Sequence, residues 1–455
     1  MKKVSILIVL VIGVLATLPI IGNKYVSSTM DERVNELKNH GLEVKESLET
    51  SSYLTTSKHY EFLLQDSAKF IDFLNQYATN QIPPYVDSLI NGVVVGVDVE
   101  HSNIPFFSTI ALDIYPIDFS EKMMESLKKN DINFYKQLDS FLATKGLSYH
   151  MNYHLSSEQF DGYIKDIEQT FKAEDGTTLT LFLNDTKFDG KGRLIAPQSS
   201  LFHIGKLNLN IVDKRDKFVF NVENFQGSSD FTSKATYNTD LSVKNFKFIV
   251  DEKNDALYMN VNDFSGKFAS DDQGEKTKLF GTSAFKEMTI EGSELDLAVK
   301  EFKYEFALSQ LDKELFDKLQ TLVADQNVKT GRTTSKEIEK VIIDLFSKGL
   351  ELNIKNISVD DIIYNKTKEY KGFSFNSLVN IKADPDLAVK MKQMPMDALN
   401  NIDMSSELVL SKELYQELEN KGLNIYTYAE VQENSVKFKS TYKNGQLLVN
   451  GKPIN

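Results

Sequence analysis

Cysteine is absent from this chain of 455 residues. No disulfide can staple it, no thiolate can act as a nucleophile and no cysteine metal site can form, so a large apolar core has to do the stabilising. A surplus of basic charge is missing too, since 52 lysines and arginines stand against 65 acids for a formal charge of −13. That balance repels nucleic acid and anionic head groups at long range, and nucleic acid is not an expected partner. The recurrent signatures of catalysis are lacking as well. The chain holds no G-x-S-x-G elbow, no G-x-x-x-x-G-K-[ST] loop, no G-x-G-x-x-G and no H-E-x-x-H. Neither a cofactor nor a metal is expected from motifs of this kind.

Only one run is long and apolar enough to cross a bilayer, and it lies at the N-terminus in "MKKVSILIVLVIGVLATLPIIGNKY". From Val4 to Ile21 no charge interrupts it. A helix over those residues would span roughly 27 Å, close to the hydrocarbon thickness of a membrane. Lys2 and Lys3 precede it, which predicts a cytoplasmic N-terminus and an exported remainder. A cleaved signal is the alternative, with Val14-Leu15-Ala16 as a poor cleavage match, because apolar residues resume at Leu18. The expected organisation is an anchor over residues 1–22 and a polar helical stem over 23–48. An α+β subdomain over 49–175, a repeated antiparallel region over 176–307 and a C-terminal α+β subdomain over 308–455 follow. The 41% of apolar residues, with 30 Phe and 19 Tyr, supply ample core for such a body.

Helical spacing in Phe70, Ile71, Phe73, Leu74 and Tyr77 predicts a helix that Pro83-Pro84 interrupts. Val93, Val95, Val97 and Val99 alternate as a strand does, and a helical pair is expected over Phe119–Lys129 and Ile132–Ala143. Next comes a periodic stretch. Four segments starting at Leu179, Phe218, Leu257 and Leu295 lie 39, 39 and 38 residues apart and share the form apolar-x-apolar-x-Val-x-x-Phe. It is carried by Phe218, Phe220, Val222 and Phe225, by Leu257, Met259, Val261 and Phe264, and by Leu295, Leu297, Val299 and Phe302. The first unit departs from it at Leu183 and Thr186. A second alternating strand, Leu207, Leu209 and Ile211, recurs 39 residues later as Phe246, Phe248 and Val250.

Each unit thus reads as two strands joined by a charged turn, and a repeat that cannot bury its own apolar face has to stack on its neighbours. The expectation is α+β: an N-terminal transmembrane helix, then an extended antiparallel sheet with covering helices. An ordinary β-sandwich with accidental spacing is the alternative. The covering helices are expected over Leu308–Gln326 and Ser335–Gly349, with Ile338 and Leu345 facing the sheet. The twelve repeat residues named above are the candidate apolar binding surface.

Other clusters read as structural. His150 and His154 sit in an alternating segment that places them roughly 13 Å apart, too far for one zinc ion. The acidic stretches Asp271–Glu275 and Asp251–Asp255 lack calcium-loop spacing and read as solvated turns. Met391, Met394 and Met396 form either an adaptable binding surface or a core helix interrupted at Pro395.

The N-terminal anchor and stem, "KGLELNIKNISVDD" (Lys348–Asp361), "SSELVLSKELYQELE" (Ser405–Glu419) and the closing hairpin "STYKNGQLLVNGKPI" (Ser440–Ile454) together resemble the YdgA-like family of bacterial inner-membrane-anchored proteins. The resemblance runs in order along nearly the whole chain. Its most specific part is the hairpin, with tight turns at Asn444-Gly445 and Asn450-Gly451. It implies a single-pass inner-membrane protein anchored through residues 4–21, with its body in the periplasm. It implies no chemistry, since the family's domain has no assigned function.

Two function classes follow. One is a non-catalytic envelope protein whose β-surface holds a lipid, another apolar ligand or an envelope protein, with self-association through the stem and sheet edges as a variant. The other is an anchored periplasmic hydrolase whose site is assembled from residues far apart in sequence.

Overall fold

A computed structural model describes residues 30–454 apart from 52–54, 76–81, 83–84, 103–108, 155, 194–195, 215, 233–235, 253–254, 294, 327–331, 394–398 and 423–427. The anchor expected at residues 1–22, residues 23–29 of the stem, the Pro83-Pro84 break and Met394 and Met396 lie outside the described residues. Among the described residues no helix is long and apolar enough to cross a membrane. The protein is mostly antiparallel β-sheet with a few helices. It divides into two compact units, Met1–Phe231 with Ile249–Lys253, and Thr232–Phe248 with Asn254–Asn455.

The first unit opens with α1 (Met30–Asn39), β1 (Leu42–Ser51) and β2 (Thr55–Leu64), then α2 (Ser67–Asn75) and α3 (Tyr85–Ile90). The pairs β3 (Val94–Ser102) and β4 (Thr109–Asp118), α4 (Glu121–Asn130) and α5 (Ile132–Ala143), and β5 (Tyr149–His154) and β6 (Gln159–Ile164) follow. β7 (Ile167–Lys172) leads into the long strands β8 (Thr178–Arg193), β9 (Ala196–Val212) and β10 (Lys217–Phe231). The antiparallel ladder runs β1-β2-β3-β4-β5-β6-β8-β9-β10. β7 shares the β6 edge of β8: β6 pairs with residues 186–191 of β8 and β7 with residues 178–183.

The stem corrects the sequence expectation. Its helix stops at Asn39, Gly41 turns with φ of +99°, and residues 42–48 are strand, not helix. The reason is burial. Val34 and Leu37 of α1 and Leu42 of β1 point into the main core, so this segment is part of the folded body and no solvated spacer.

One large cluster holds the unit together. The alternate residues Val93, Val95, Val97 and Val99 meet Leu112, Ile114, Met151, Phe160 and Ile164 under Phe70, Phe73 and Leu74 of α2 and Phe134, Leu138 and Leu142 of α5. Asp131 caps α5 by accepting from Phe134 N at 2.9 Å. Burial then fades along the sheet. Leu179, Leu181 and Leu183 of β8 are buried, Leu209 and Ile211 of β9 still are, and Phe218 and Phe220 of β10 are only half-buried at the cluster's rim.

β11 (Tyr237–Glu252) spans the boundary between the units. In the second unit β12 (Asp255–Gln273), β13 (Lys276–Gly292) and β14 (Asp296–Asp312) precede the helices α6 (Lys313–Gln326) and α7 (Arg332–Ser347). After them come β15 (Leu350–Tyr364), β16 (Lys368–Ile381), α8 (Leu387–Gln393), β17 (Ile402–Ser411) and α9 (Lys412–Asn420). β18 (Glu430–Val431), β19 (Ser435–Lys443), β20 (Gln446–Val449) and β21 (Lys452–Pro453) close the chain. The ladder is antiparallel throughout, β12-β13-β14-β15-β16-β17-β19-β20-β21. The expected helix from Leu308 begins only at Lys313, because Leu308 to Asp312 continue β14.

The sequence period has a conformational counterpart. Asp185, Asn224, Asp263 and Glu301 all have positive φ, between 49° and 53°, and they stand 39, 39 and 38 residues apart in β8, β10, β12 and β14. Positive φ interrupts strand alternation as a bulge does. In β8 the result is visible. Leu183 faces the core opposite Ile167, and Thr186, three residues on, faces the same core opposite Ile164.

Candidate apolar face

The four candidates of the first unit share the core side of β10. Phe218, Phe220 and Val222 pair with Ile211, Leu209 and Leu207, and Phe225 pairs with Ile204 beyond the positive-φ residue Asn224. Leu207 and Ile204 both border the core cluster, so all four residues lie on one side of the sheet. None of the four is buried. Phe225 meets only the edge of Phe202, their ring centroids 6.0 Å apart.

The eight candidates of the second unit occupy β12, the end of the preceding turn and β14. Met259, Ile290 and Leu297 stand in one cross-strand row that continues to Tyr364. Val261, Met288, Val299 and Ile362 form the next row, and Leu257 pairs with Gly292 beyond the first. Residues directly opposite in a ladder share a face, so these rows make one apolar strip. The strip is partly open: Leu257 is 43% exposed and Leu295 41% exposed, and Met259, Val261, Leu297 and Val299 are half-buried. Phe302 stacks on Phe285 at 4.8 Å with 15° between the rings, and Phe264 is half-buried.

The reverse face of the same strands is polar. Asn262, Glu287, Lys300, Asp361 and Lys371 follow one another across five strands. Asn262 donates to Glu287, and Lys371 donates to Asp361 at 2.6 Å. Asn245 reaches both Asn260 and Asn262 at 2.8 Å. The sheet is therefore amphipathic, and at the β15–β16 end of its apolar side Lys421, just past α9, lies over the Tyr364 ring at 5.0 Å while Glu417 of α9 pairs with Lys368.

The helices expected to seal it pack elsewhere. Val341 and Leu345 of α7 are buried with Leu311 and Leu350, beside Leu279 and Leu308, and none of the twelve candidates belongs to that cluster. Ile338 is half-buried and stands outside it. The other cluster of this unit gathers Leu410, Tyr415, Val436, Phe438 and Val449 under α9. Two separate small cores thus hold α6, α7 and α9, and the apolar strip lies in neither.

The remaining polar candidates are satisfied locally. His150 and His154 lie on β5, and each meets an aspartate, Asp113 at 2.8 Å and Asp161 at 3.3 Å. His203 pairs with Asp185 at 3.2 Å and His59 with Asp98 at 2.6 Å, so four of the six histidines each engage an aspartate. Of the acidic stretch expected as a turn, Asp271 to Gln273 end β12 and only residues 274–275 turn; Asp272 is ion-paired with Lys313, which holds its carboxyl below the usual carboxylate range. Sequence reasoning missed the group around His59, whose partners come from three strands.

Compared with protein-family models, curated proteins and solved structures, the chain matches none.

Proposed function

We propose that this chain is a non-catalytic envelope protein of the YdgA-like kind, held at the bacterial inner membrane through residues 4–21, whose partly open apolar sheet face binds an apolar ligand with acyl chains. The observation that carries the reading is the strip of Met259, Val261, Ile290, Met288, Leu297 and Val299, backed by a polar reverse face. A monomeric soluble body rarely leaves a contiguous apolar patch open without a partner for it. Binding on such a strip draws on buried apolar area at roughly 25 cal/mol per Å² and depends little on salt, so the acidic exterior is no obstacle. The anchor would keep the strip beside the bilayer that supplies the ligand.

The test is lipid recovery. Residues 30–455, purified without detergent and extracted into organic solvent, should yield acyl lipid by mass spectrometry. Val299→Asp, on the apolar side, should abolish it. Ala298→Asp, one residue away on the polar side, should not. Lipid-free protein, or equal recovery from both variants, overturns the reading, and a protein cross-linked through the strip in its place would identify an interaction module.

A further inference from the structure

Across the ladder of β1 and β2, Glu46 stands directly opposite Glu61. Like charges at directly opposed positions repel and destabilise a sheet. Among the described residues neither glutamate is paired with a lysine or arginine, and the nearest candidate in sequence, Lys45, is paired with Glu43 at 3.4 Å. The opposition is produced by an irregularity in the register between Val44 and Glu46. With an unbroken register Lys45 would oppose Glu61, and Glu46 would oppose Tyr60, whose side chain is buried in the core. The extra residue thus exchanges a cation for an anion at this place. Bulges commonly re-aim a side chain beside a functional site.

His59 completes the group. It lies two residues before Glu61 on the same face of β2, with Nε2 3.7 Å from Glu61 Oε1. One ligand atom each from Glu46, His59 and Glu61 all fall within 4.8 Å of one another. The other ring nitrogen, Nδ1, is 2.6 Å from Asp98 Oδ1. Asp98 also accepts from Lys145 Nζ at 2.6 Å and from the Tyr115 hydroxyl at 3.2 Å. A carboxylate so engaged is ionised and only accepts, so the proton of a neutral His59 sits on Nδ1 and the lone pair of Nε2 faces the two glutamates. Metal-binding histidines show this arrangement, with a carboxylate behind the imidazole fixing its tautomer and orientation.

We propose that Glu46, His59 and Glu61 form a binding site for a divalent cation of the zinc class, with Asp98 as the residue that positions the imidazole. Imidazole nitrogen and carboxylate oxygen are both donors that such an ion takes, and three protein donors leave a fourth position open to water. Glu46 is exposed and free to rotate, which lets the donors close to the roughly 2.0–2.2 Å that zinc requires. The ion would convert the cross-strand repulsion into a shared attraction.

The test uses the full chain in detergent micelles, freed of its purification tag, titrated calorimetrically with zinc chloride. One ion per chain is expected, with binding lost in His59→Gln and in Glu61→Gln and retained in His150→Gln, whose imidazole pairs with Asp113 and belongs to no such three-ligand group among the described residues. Asp98→Asn should keep the stoichiometry and weaken binding roughly 10- to 100-fold. Two melting measurements guard against misfolded variants. Zinc should raise the melting temperature of the parent and not of Glu46→Gln/Glu61→Gln, and in chelator Glu46→Gln alone should melt higher than the parent. A parent that binds no zinc, or His59→Gln and Glu61→Gln variants that bind it as the parent does, overturns the proposal.

Discussion

Tyr149 and Phe188 stack face to face, their ring centroids 4.7 Å apart and their planes 4° from parallel. Burial raises the Tyr149 phenol well above its ordinary range, so the ring acts as an apolar body. Phe188 also covers Gly162, its cross-strand partner, where an added Cβ would come within 2.2 Å of both the Phe188 ring and the His150 carbonyl oxygen. Phe188→Ala should therefore cost about 3 kcal/mol, and Gly162→Ala should destabilise by crowding that ring and the His150 carbonyl together. Urea unfolding followed by tyrosine fluorescence would measure both. Parent-like midpoints would mean that the stack contributes nothing.

The recurrent positive-φ position gives a substitution expected to stabilise. Asp185, Asn224 and Asp263 are residue types that tolerate the left-handed region, and Glu301, at φ of 53°, is the exception. Glu301→Asn should raise stability by about 0.5–1 kcal/mol, whereas Asn224→Val should lower it by at least as much. Thermal melts of the two variants would decide, and a Glu301→Asn protein that melts lower than the parent would contradict this.

Asp98 should leave a mark on acid unfolding. Burial alone would raise its carboxyl, but the hydrogen bonds from Lys145 and His59 outweigh it and hold it below the usual carboxylate range. A carboxyl lowered in the folded state contributes stability that is present above its unfolded pKa of about 3.9 and is lost as the pH falls through the lower folded value. The stability gap between the parent and Asp98→Asn should therefore be widest at neutral pH and shrink as the pH drops below about 4. Denaturant midpoints across that range supply the measurement, and a gap independent of pH would remove Asp98 as its source.

Ser411 joins the last helix to its small core. Its hydroxyl caps α9 by accepting from Leu414 N at 3.2 Å and donates to the carbonyl of Lys371. Ser411→Ala should cost about 1–2 kcal/mol, with Ser411→Asp recovering part of it because a carboxylate can still cap the helix. Equal melting of parent and Ser411→Ala would show the cap to be redundant.

Much of the fold is legible in the residues because β-structure writes itself in alternation. The valines at 93, 95, 97 and 99, the helical pair around Ile132–Ala143 and the hairpin turn at Asn444-Gly445, with φ of 52° and 77°, all read directly from the chain. The 39-residue spacing also carries through, since Val222 and Phe225 share a face only because Asn224 resets the alternation between them. Two features were hidden by long-range effects. β1 reads as a polar stem because its burial depends on α1 and on pairing with β2. The Glu46, His59 and Glu61 group depends on a register irregularity at Lys45, which no local propensity announces. The incomplete cover over the apolar strip is likewise a tertiary matter, because Val341 and Leu345 of α7 present helical spacing whichever strands they meet.

The equivalence of Asn224 and Asp263 makes length a discrete variable. Excising residues 224–262 would fuse Glu223 to Asp263 and remove one complete period with its positive-φ position kept, whereas a cut of a single residue within a strand would turn the rest of that strand to the opposite face. Change by whole periods is thus the kind of length change that such a strand pattern absorbs.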